Sequence, residues 1–237
     1  MSISAFIFAR GGSKGLPNKN IKDFHGKPLI GWAIECALSL KCIDSVIVST
    51  DSTDIANVAK SFGALVPFMR PKELARDDSP EWMAWRHALE FVRKNFGTLP
   101  KAMLSLPTTA PLRNSIDVQN CLDLYEKEKP DAVITVTESH RSPYFNMVKK
   151  NKYGTARLVC EQKNPITRRQ DTPSVFDMTT VAYVVNSQFV MQSDALFDGK
   201  VMSVDVPIER AIDIDTQLDF EIAEFLMKKG STHEENI

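Results

Sequence analysis

Cysteine is scarce in this chain: 237 residues contain four, Cys36, Cys42, Cys121 and Cys160, all in apolar settings and none at CxxC spacing. That pattern excludes a cysteine zinc site and a disulfide framework, and reads as a reduced, cytoplasmic protein. No stretch approaches the roughly 20 apolar residues of a membrane span. The opening MSISAFIFARGG has an apolar run too short for a secretory signal and lacks the basic region before it. Charge of one sign is missing as well: 29 basic against 30 acidic side chains leave a net charge of −1. No global field favours nucleic acid or an anionic membrane, so any anion site must be local.

Hydrophobic patterning is plentiful. Short runs rich in Val, Ile and Phe alternate with segments of helical period, the arrangement of a parallel sheet covered by helices on both faces. Strands are expected at Ser4 to Ala9, Ser45 to Thr50, Ala102 to Leu106, Ala132 to Thr137, Thr180 to Val185 and Val201 to Val206. Between them, Pro28 suits the first turn of a helix whose buried stripe is Leu29, Ile30, Ala33, Ile34, Ala37 and Leu38. A second helix stops at Gly63, a natural C-terminal cap. Ser79 is expected to cap a third, with Pro80 as its first residue, and Ser115 a fourth. Thr216 and Asp219 form a capping-box pair for the last, whose tail should fray after Gly230. Residues 140–180 break this rhythm, with strand-like pieces around the turn signal Asn151 to Gly154. The expectation is an α/β fold: one domain, 1–237, a Rossmann-like three-layer sandwich with a mostly parallel sheet and a small β-rich insertion at 140–180.

Two segments carry chemistry. The first, ARGGSKGLPNKN (Ala9 to Asn20), follows the first strand and combines Arg10, Lys14 and Lys19 with Gly11, Gly12 and Gly15. Glycines let backbone N–H groups approach a ligand, and ligands of open α/β sheets bind at the carboxyl ends of strands, so this loop could cradle a triphosphate. Its glycine spacing fits neither GxGxxG nor the Walker A template. Read alone, it could equally be a tight turn with solvated cations. The second segment is IDIDTQLD, where Asp213 and Asp215, two residues apart, share one face if the backbone is extended. Paired carboxylates suit one hard cation; the plainer reading makes Asp215 a helix cap and Asp213 a solvated loop residue. Trp82 and Trp85 fall at helical spacing and read as core.

Taken in order, IFARGGSKGLPNKNI, VIVSTDS, RPKELARDDS, PTTAPLR and IDIDTQLD resemble the acylneuraminate (CMP-sialic acid) cytidylyltransferase family over nearly the whole chain. The resemblance implies transfer of CMP from CTP to the anomeric hydroxyl of a 2-keto-3-deoxy sugar acid, with release of pyrophosphate. It assigns Mg²⁺ to Asp213 and Asp215. It assigns the nucleotide to Ala9, Arg10, Gly11, Gly12, Ser13, Lys14, Lys19 and Asn20. Cytosine recognition falls to Arg70 and the loop Ala75 to Glu81, including Ser79 and Glu81. By themselves these last residues would be a surface turn with Arg70 paired to Glu73 or Asp77. Arg168, Arg169 and Gln170 match an arginine-glutamine pair around the sugar acid, an arginine fork suiting a carboxylate. The insertion is implied to make a homodimer, its His140 to Asn146 region reaching toward the partner's active site.

The sugar side departs from the sialic-acid enzymes. Leu106 stands where they carry Gln before PTSPLR, and Phe176 to Thr180 replaces their RPNG or YENG string, placing Asp177 and Thr179 beside Leu106 and Thr108 as candidate sugar contacts. Tyr144 follows Pro143 where they often have lysine. The acceptor is therefore open among nonulosonates, such as sialic, legionaminic, pseudaminic and deaminated forms, and an octulosonate. A sugar-1-phosphate nucleotidyltransferase and a non-catalytic nucleotide-binding homologue are the alternatives.

Overall fold

The computed structural model describes residues 2–161 and 168–234, with side chains through Gly230. A six-stranded sheet forms its centre. In spatial order it runs β10 (Val201–Asp205), β6 (Ala132–Glu138), β9 (Phe176–Asn186), β5 (Ala102–Ser105), β1 (Ile3–Phe8) and β4 (Ser45–Ser49). Five strands point the same way; β9 alone is antiparallel to both neighbours, β5 and β6. The expected mostly parallel sheet is present, with its reversed strand in the middle.

Side-chain alternation explains the layers. Along β1, Ile3, Ala5 and Ile7 face a core shared with α1 (Leu29–Ser39), α2 (Thr53–Ser61) and α4 (Ser115–Glu128), while Phe6 faces the opposite core with α3 (Glu81–Phe96) and α5 (Ser187–Gln192). Phe6 and Ile7 are fully buried, each contributing about 1.5–3 kcal/mol. Leu38, expected in the stripe of α1, is instead exposed.

Helix starts differ from the sequence reading at three places. Pro28, expected in the first turn of α1, is its N-cap in extended conformation. Pro80, not Ser79, is the N-cap of α3, because the Ser79 hydroxyl turns back to donate to the carbonyl of Glu73. Asn114, not Ser115, caps α4: its side chain accepts from Ile116 N while Asp117, in the N3 position, accepts from the Asn114 N–H. The Thr216–Asp219 pair does close the start of α6 (Gln217–Glu234), and that helix continues past Gly230.

The insertion is smaller than expected. Phe176 pairs with Glu138 and Thr179 with Thr135, so residues 176–180 belong to the central sheet. Before them lies a short hairpin, β7 (Val148–Lys150) with β8 (Ala156–Leu158). Its turn is closed by Asn151, whose side chain accepts from Tyr153 N and Thr155 N. No described residue between Ser139 and Val175 joins a hydrophobic core cluster.

A third, minor core fixes the functional edge. Leu16, from the basic loop, packs with Phe24, Leu29, Ile214, Phe220 and Ala223. Phe24 ends β2 (Asp23–Phe24), which pairs with β3 (Lys27–Pro28) through His25 and Gly26. Both turn residues have positive φ, the requirement of a two-residue turn of this hand.

Candidate active site

The loop after β1 and the segment before α6 meet at the carboxyl ends of the parallel strands. Ile214 is wholly buried in the minor core, and Asp213 and Asp215 on either side both line the cleft. The alternation in IDID is thus a device: the isoleucine anchors, the carboxylates project. Lys19 ties the two segments together, its ammonium donating to Ile214 O at 2.7 Å and pairing with Asp215 Oδ1 at 2.9 Å. Gly15 is a close-approach glycine, since a Cβ there would collide with the backbone oxygen of Asp215.

The rest of the loop is braced by its neighbours. Gly11 N donates to Asp51 Oδ1 at 2.9 Å, and Asn20 Nδ2 donates to Arg10 O at 2.8 Å. Asn20 Oδ1 in turn accepts from the Thr108 hydroxyl. These bonds hold Arg10 and Lys14 over a cleft of about 440 Å³. Both cations converge on one carboxylate: Arg10 Nη1 lies 2.5 Å from Asp77 Oδ1, and Lys14 Nζ pairs with Asp77 Oδ2. Those two cations, Lys14 foremost, hold the Asp77 carboxyl below the usual carboxylate range.

Of the residues singled out from sequence, Arg10, Ser13, Lys14, Lys19, Asn20, Arg70, Ser79, Glu81, Thr108, Asp213 and Asp215 line this cleft. Arg70 does not pair with Glu73 or Asp77. It is 7% exposed and donates through Nε to Ser49 Oγ at 3.1 Å and through Nη2 to Ser49 O, bracing the end of β4. Burial pulls its guanidinium below the ordinary arginine value despite the nearby charges of Asp51 and Glu81.

Ala9, Gly11 and Gly12 do not line the cleft. Ala9 is core, with its N–H on Ser49 O. Neither do most of the proposed sugar contacts. Leu106 is fully buried, its N–H donating to Phe6 O, and Thr179 is buried with its hydroxyl on Thr135. Asp177 is exposed on β9 outside the cleft. Arg169 and Gln170 line a separate depression with Ser139 and Ser142, where Arg169 Nη2 donates to Ser139 O at 2.9 Å. Arg168 pairs with its neighbour Asp171, so within one chain Thr108 is the only one of the seven sugar candidates at the cleft.

Arg76 and Asp77, inside the expected Ala75 to Glu81 loop but not singled out there, line it too, and sequence reading missed Thr109, Thr180 and Tyr183, which also do. Thr180 and Tyr183 arrive on the reversed strand β9, whose direction the hydropathy pattern does not encode. Beneath them, buried Arg113 donates through Nη2 to the carbonyls of Pro107 and Thr180, and burial lowers its value to about 10.

For a divalent cation the donor set is suitable. Asp213 Oδ1 is buried and has no hydrogen-bond partner, an orphaned acceptor beside a second carboxylate. Mg²⁺ takes one or two protein carboxylates and completes its shell with water and substrate phosphates.

Residues 4–224 match the family model described as Cytidylyltransferase. The chain belongs to the cytidylyltransferase family. Among its relatives, the post-translational flagellin modification protein B of Campylobacter coli is 33% identical, the alignment covering 94% of each chain. The CMP-N,N'-diacetyllegionaminic acid synthase of Campylobacter jejuni is 35% identical over 93% of each. In fold, the cytidylyltransferase is similar to a CMP:2-keto-3-deoxy-manno-octonic acid synthetase solved in complex with CTP. The TM-score is 0.68 at 18% identity, covering 97% of this chain and all of that one. No helix among the described residues is long and apolar enough to cross a membrane.

Proposed function

We propose that this cytidylyltransferase transfers CMP from CTP to the anomeric hydroxyl of a 2-keto-3-deoxy sugar acid, releasing pyrophosphate. The observation that carries the reading is the junction at Lys19, which brings the basic loop and the Asp213–Asp215 pair to one cleft across 196 residues of sequence. A triphosphate needs cations, a divalent ion needs carboxylates, and in-line transfer needs both within one cleft.

In the reaction the sugar hydroxyl oxygen forms a bond to the α-phosphorus, its proton passing to a water or to a cleft carboxylate, while the bond to the pyrophosphate oxygen breaks. Arg10, Lys14 and Lys19 hold the triphosphate and offset charge on the departing pyrophosphate. Arg70, through Ser49, and Asn20, through Thr108, fix the strand ends beneath the nucleotide, while Ser79 and Glu81 wall the base side. Asp213 and Asp215 would hold Mg²⁺, which supplies Lewis-acid polarisation of phosphate oxygens and lowers the pKa of a bound hydroxyl. No covalent enzyme intermediate is required, and no Cys or His among the described residues lines the cleft.

Legionaminate-type nonulosonates head the acceptor series, supported by the relative of that name. We read the chain as a homodimer. Tyr153 is 80% exposed, and Phe145, Met147, Val148 and Val159 are also exposed, an apolar surface on the insertion that a second copy would cover. Arg169 and Gln170, outside their own chain's cleft, would then be offered to the partner's. Four free cysteines fit a cytoplasmic setting.

The test is pyrophosphate release with CTP and Mg²⁺ across a panel of sugar acids and sugar phosphates. Turnover is expected only with a sugar acid and is lost in Asp215→Asn. Activity on sugar phosphates would favour a sugar-1-phosphate transferase, and turnover of nothing, with nucleotide still bound, a binding homologue.

A further inference from the structure

Of the acidic residues that line the cleft, Asp77 is the one that the reaction does not use. It stands between the short 3₁₀ turn Lys72–Leu74 and α3, and its two oxygens take one cation each, Oδ1 from Arg10 and Oδ2 from Lys14. A carboxylate presents two anionic oxygens on one carbon much as a phosphate presents them on phosphorus. The partners it engages are the two cations of the loop that have no other ion pair among the described residues; the third, Lys19, pairs with Asp215 and donates to Ile214 O. Lys14 is otherwise open, its side chain 82% exposed, so the contact with Asp77 is not forced by packing.

From this convergence we infer that Asp77 is a carboxylate latch: it occupies the polyphosphate position of the free protein, is displaced by CTP, and competes with pyrophosphate for Arg10 and Lys14 after transfer. The inference rests on the reading that these two cations hold the triphosphate, and it adds a role to the same cleft. The low proton affinity of the Asp77 carboxyl keeps it anionic, and therefore a competitor, throughout the neutral range. A protein that grips a polyanion with fixed cations releases it slowly; a tethered anion beside the same cations gives the product a rival and speeds its exit. The latch costs some CTP affinity, because a ligand binds only the fraction of molecules in which the cations are available.

Asp77→Asn keeps the shape and removes the charge. Binding of inorganic pyrophosphate with Mg²⁺ present, measured by calorimetry on the full chain, should tighten about 3- to 10-fold, the scale of one or two partly exposed ion pairs. The inhibition constant of pyrophosphate in the forward assay should fall by a similar factor. Asp123→Asn, which removes an equal charge from the exposed side of α4, should leave binding within about twofold, controlling for net charge. In about 0.5 M salt the difference between wild type and Asp77→Asn should narrow toward nothing, since screening weakens both the latch and its rival. Unchanged or weaker pyrophosphate binding in Asp77→Asn would overturn the latch and make Asp77 a support for the cations, leaving the nucleotide reading intact. A tightening that Asp123→Asn reproduces would overturn it as well. Failure of pyrophosphate and CTP to bind any of the proteins would instead remove the reading beneath it.

Discussion

The cleft and the insertion are held together on different scales. Around the cleft, the bonds that matter join residues far apart in sequence: Lys19 to Asp215, Thr108 to Asn20, Gly11 to Asp51, Arg70 to Ser49. In the insertion they are mostly local: Ser142 N to Asn146, Tyr153 N and Thr155 N to Asn151, Arg168 to Asp171. A site closed by long-range bonds is preorganised by the whole fold. A segment closed on itself, with its apolar side chains outward, contributes little to that fold and is free to serve a contact beyond it. The comparison predicts that damage to the cleft is felt in chemistry or in stability, and damage to the insertion chiefly in assembly and acceptor use.

The largest effect should come from Asp213→Asn. Asp213 Oδ1 has no hydrogen-bond partner, and the carboxylate supports the fold only through its charge near buried Arg113, so stability in urea should stay within about 1 kcal/mol of wild type. Turnover should fall about 10²–10³-fold, the scale of losing one group that stabilises developing charge. An equal loss of folding stability would mean that Asp213 is a structural residue and that the cleft's acidic side has been misread.

Next comes Gly15→Ala. The added methyl meets the backbone oxygen of Asp215, not a movable side chain, so the loop and the acidic segment must separate. Urea unfolding should show a loss of about 1–3 kcal/mol, typical of an overpacked contact, together with a steep fall in turnover. Gly12→Ala is the matched comparison: a Cβ there meets nothing, and stability should change little. If the two variants behave alike, the junction between the segments is not tight.

The insertion answers a milder substitution set. Replacing the hairpin residues 148–158 by a short Gly-Ser linker should leave the thermal transition of the sheet nearly unchanged and pyrophosphate affinity within about threefold, because no described residue there enters a core cluster. Sedimentation should shift from dimer to monomer, and the KM for sugar acid should rise more than the KM for CTP. A shortened protein that stays dimeric with an unchanged acceptor KM would show that the exposed apolar face serves neither purpose. Arg169→Ala is the gentler form of the same test, and its effect should fall on the acceptor alone.

How much of this could be read beforehand follows the same division of scales. The basic loop and IDID were legible because each is a short string whose meaning lies in its own residue types and period. The parallel strands were legible from alternation. What escaped depended on distant partners. Asp77 looked like one acid among several in RPKELARDDS, and only the fold sets it against Arg10 and Lys14. Leu106 continues the inward parity of Ala102 and Leu104 and so belongs to the core, whereas the motif comparison marked it as a sugar contact. Ser79 and Ser115 are good caps by type; in each case a neighbour with the better backbone position took the role.

The finest discrimination between the two regions is available from the cysteines, which sample both. Cys121 is on the buried face of α4, where burial pushes its thiol up to about 12, and burial likewise raises Cys36 on α1. A raised value means less thiolate at any given pH, so both should resist a thiol reagent at about pH 8 until the protein unfolds. Cys42 is exposed, and Cys160, half-buried, is attached to the insertion by the bond from its N–H to Pro143 O. The expected order of labelling, read by mass spectrometry of partially modified protein, is Cys42, then Cys160, then Cys36 and Cys121 together with global unfolding. Assembly should change only one member of that order: if the insertion is covered by a second copy, Cys160 slows as protein concentration rises while Cys42 does not. Labelling of Cys160 only at the rate of global unfolding, at every concentration, would mean that the insertion opens with the sheet, and that the two regions are one cooperative unit after all.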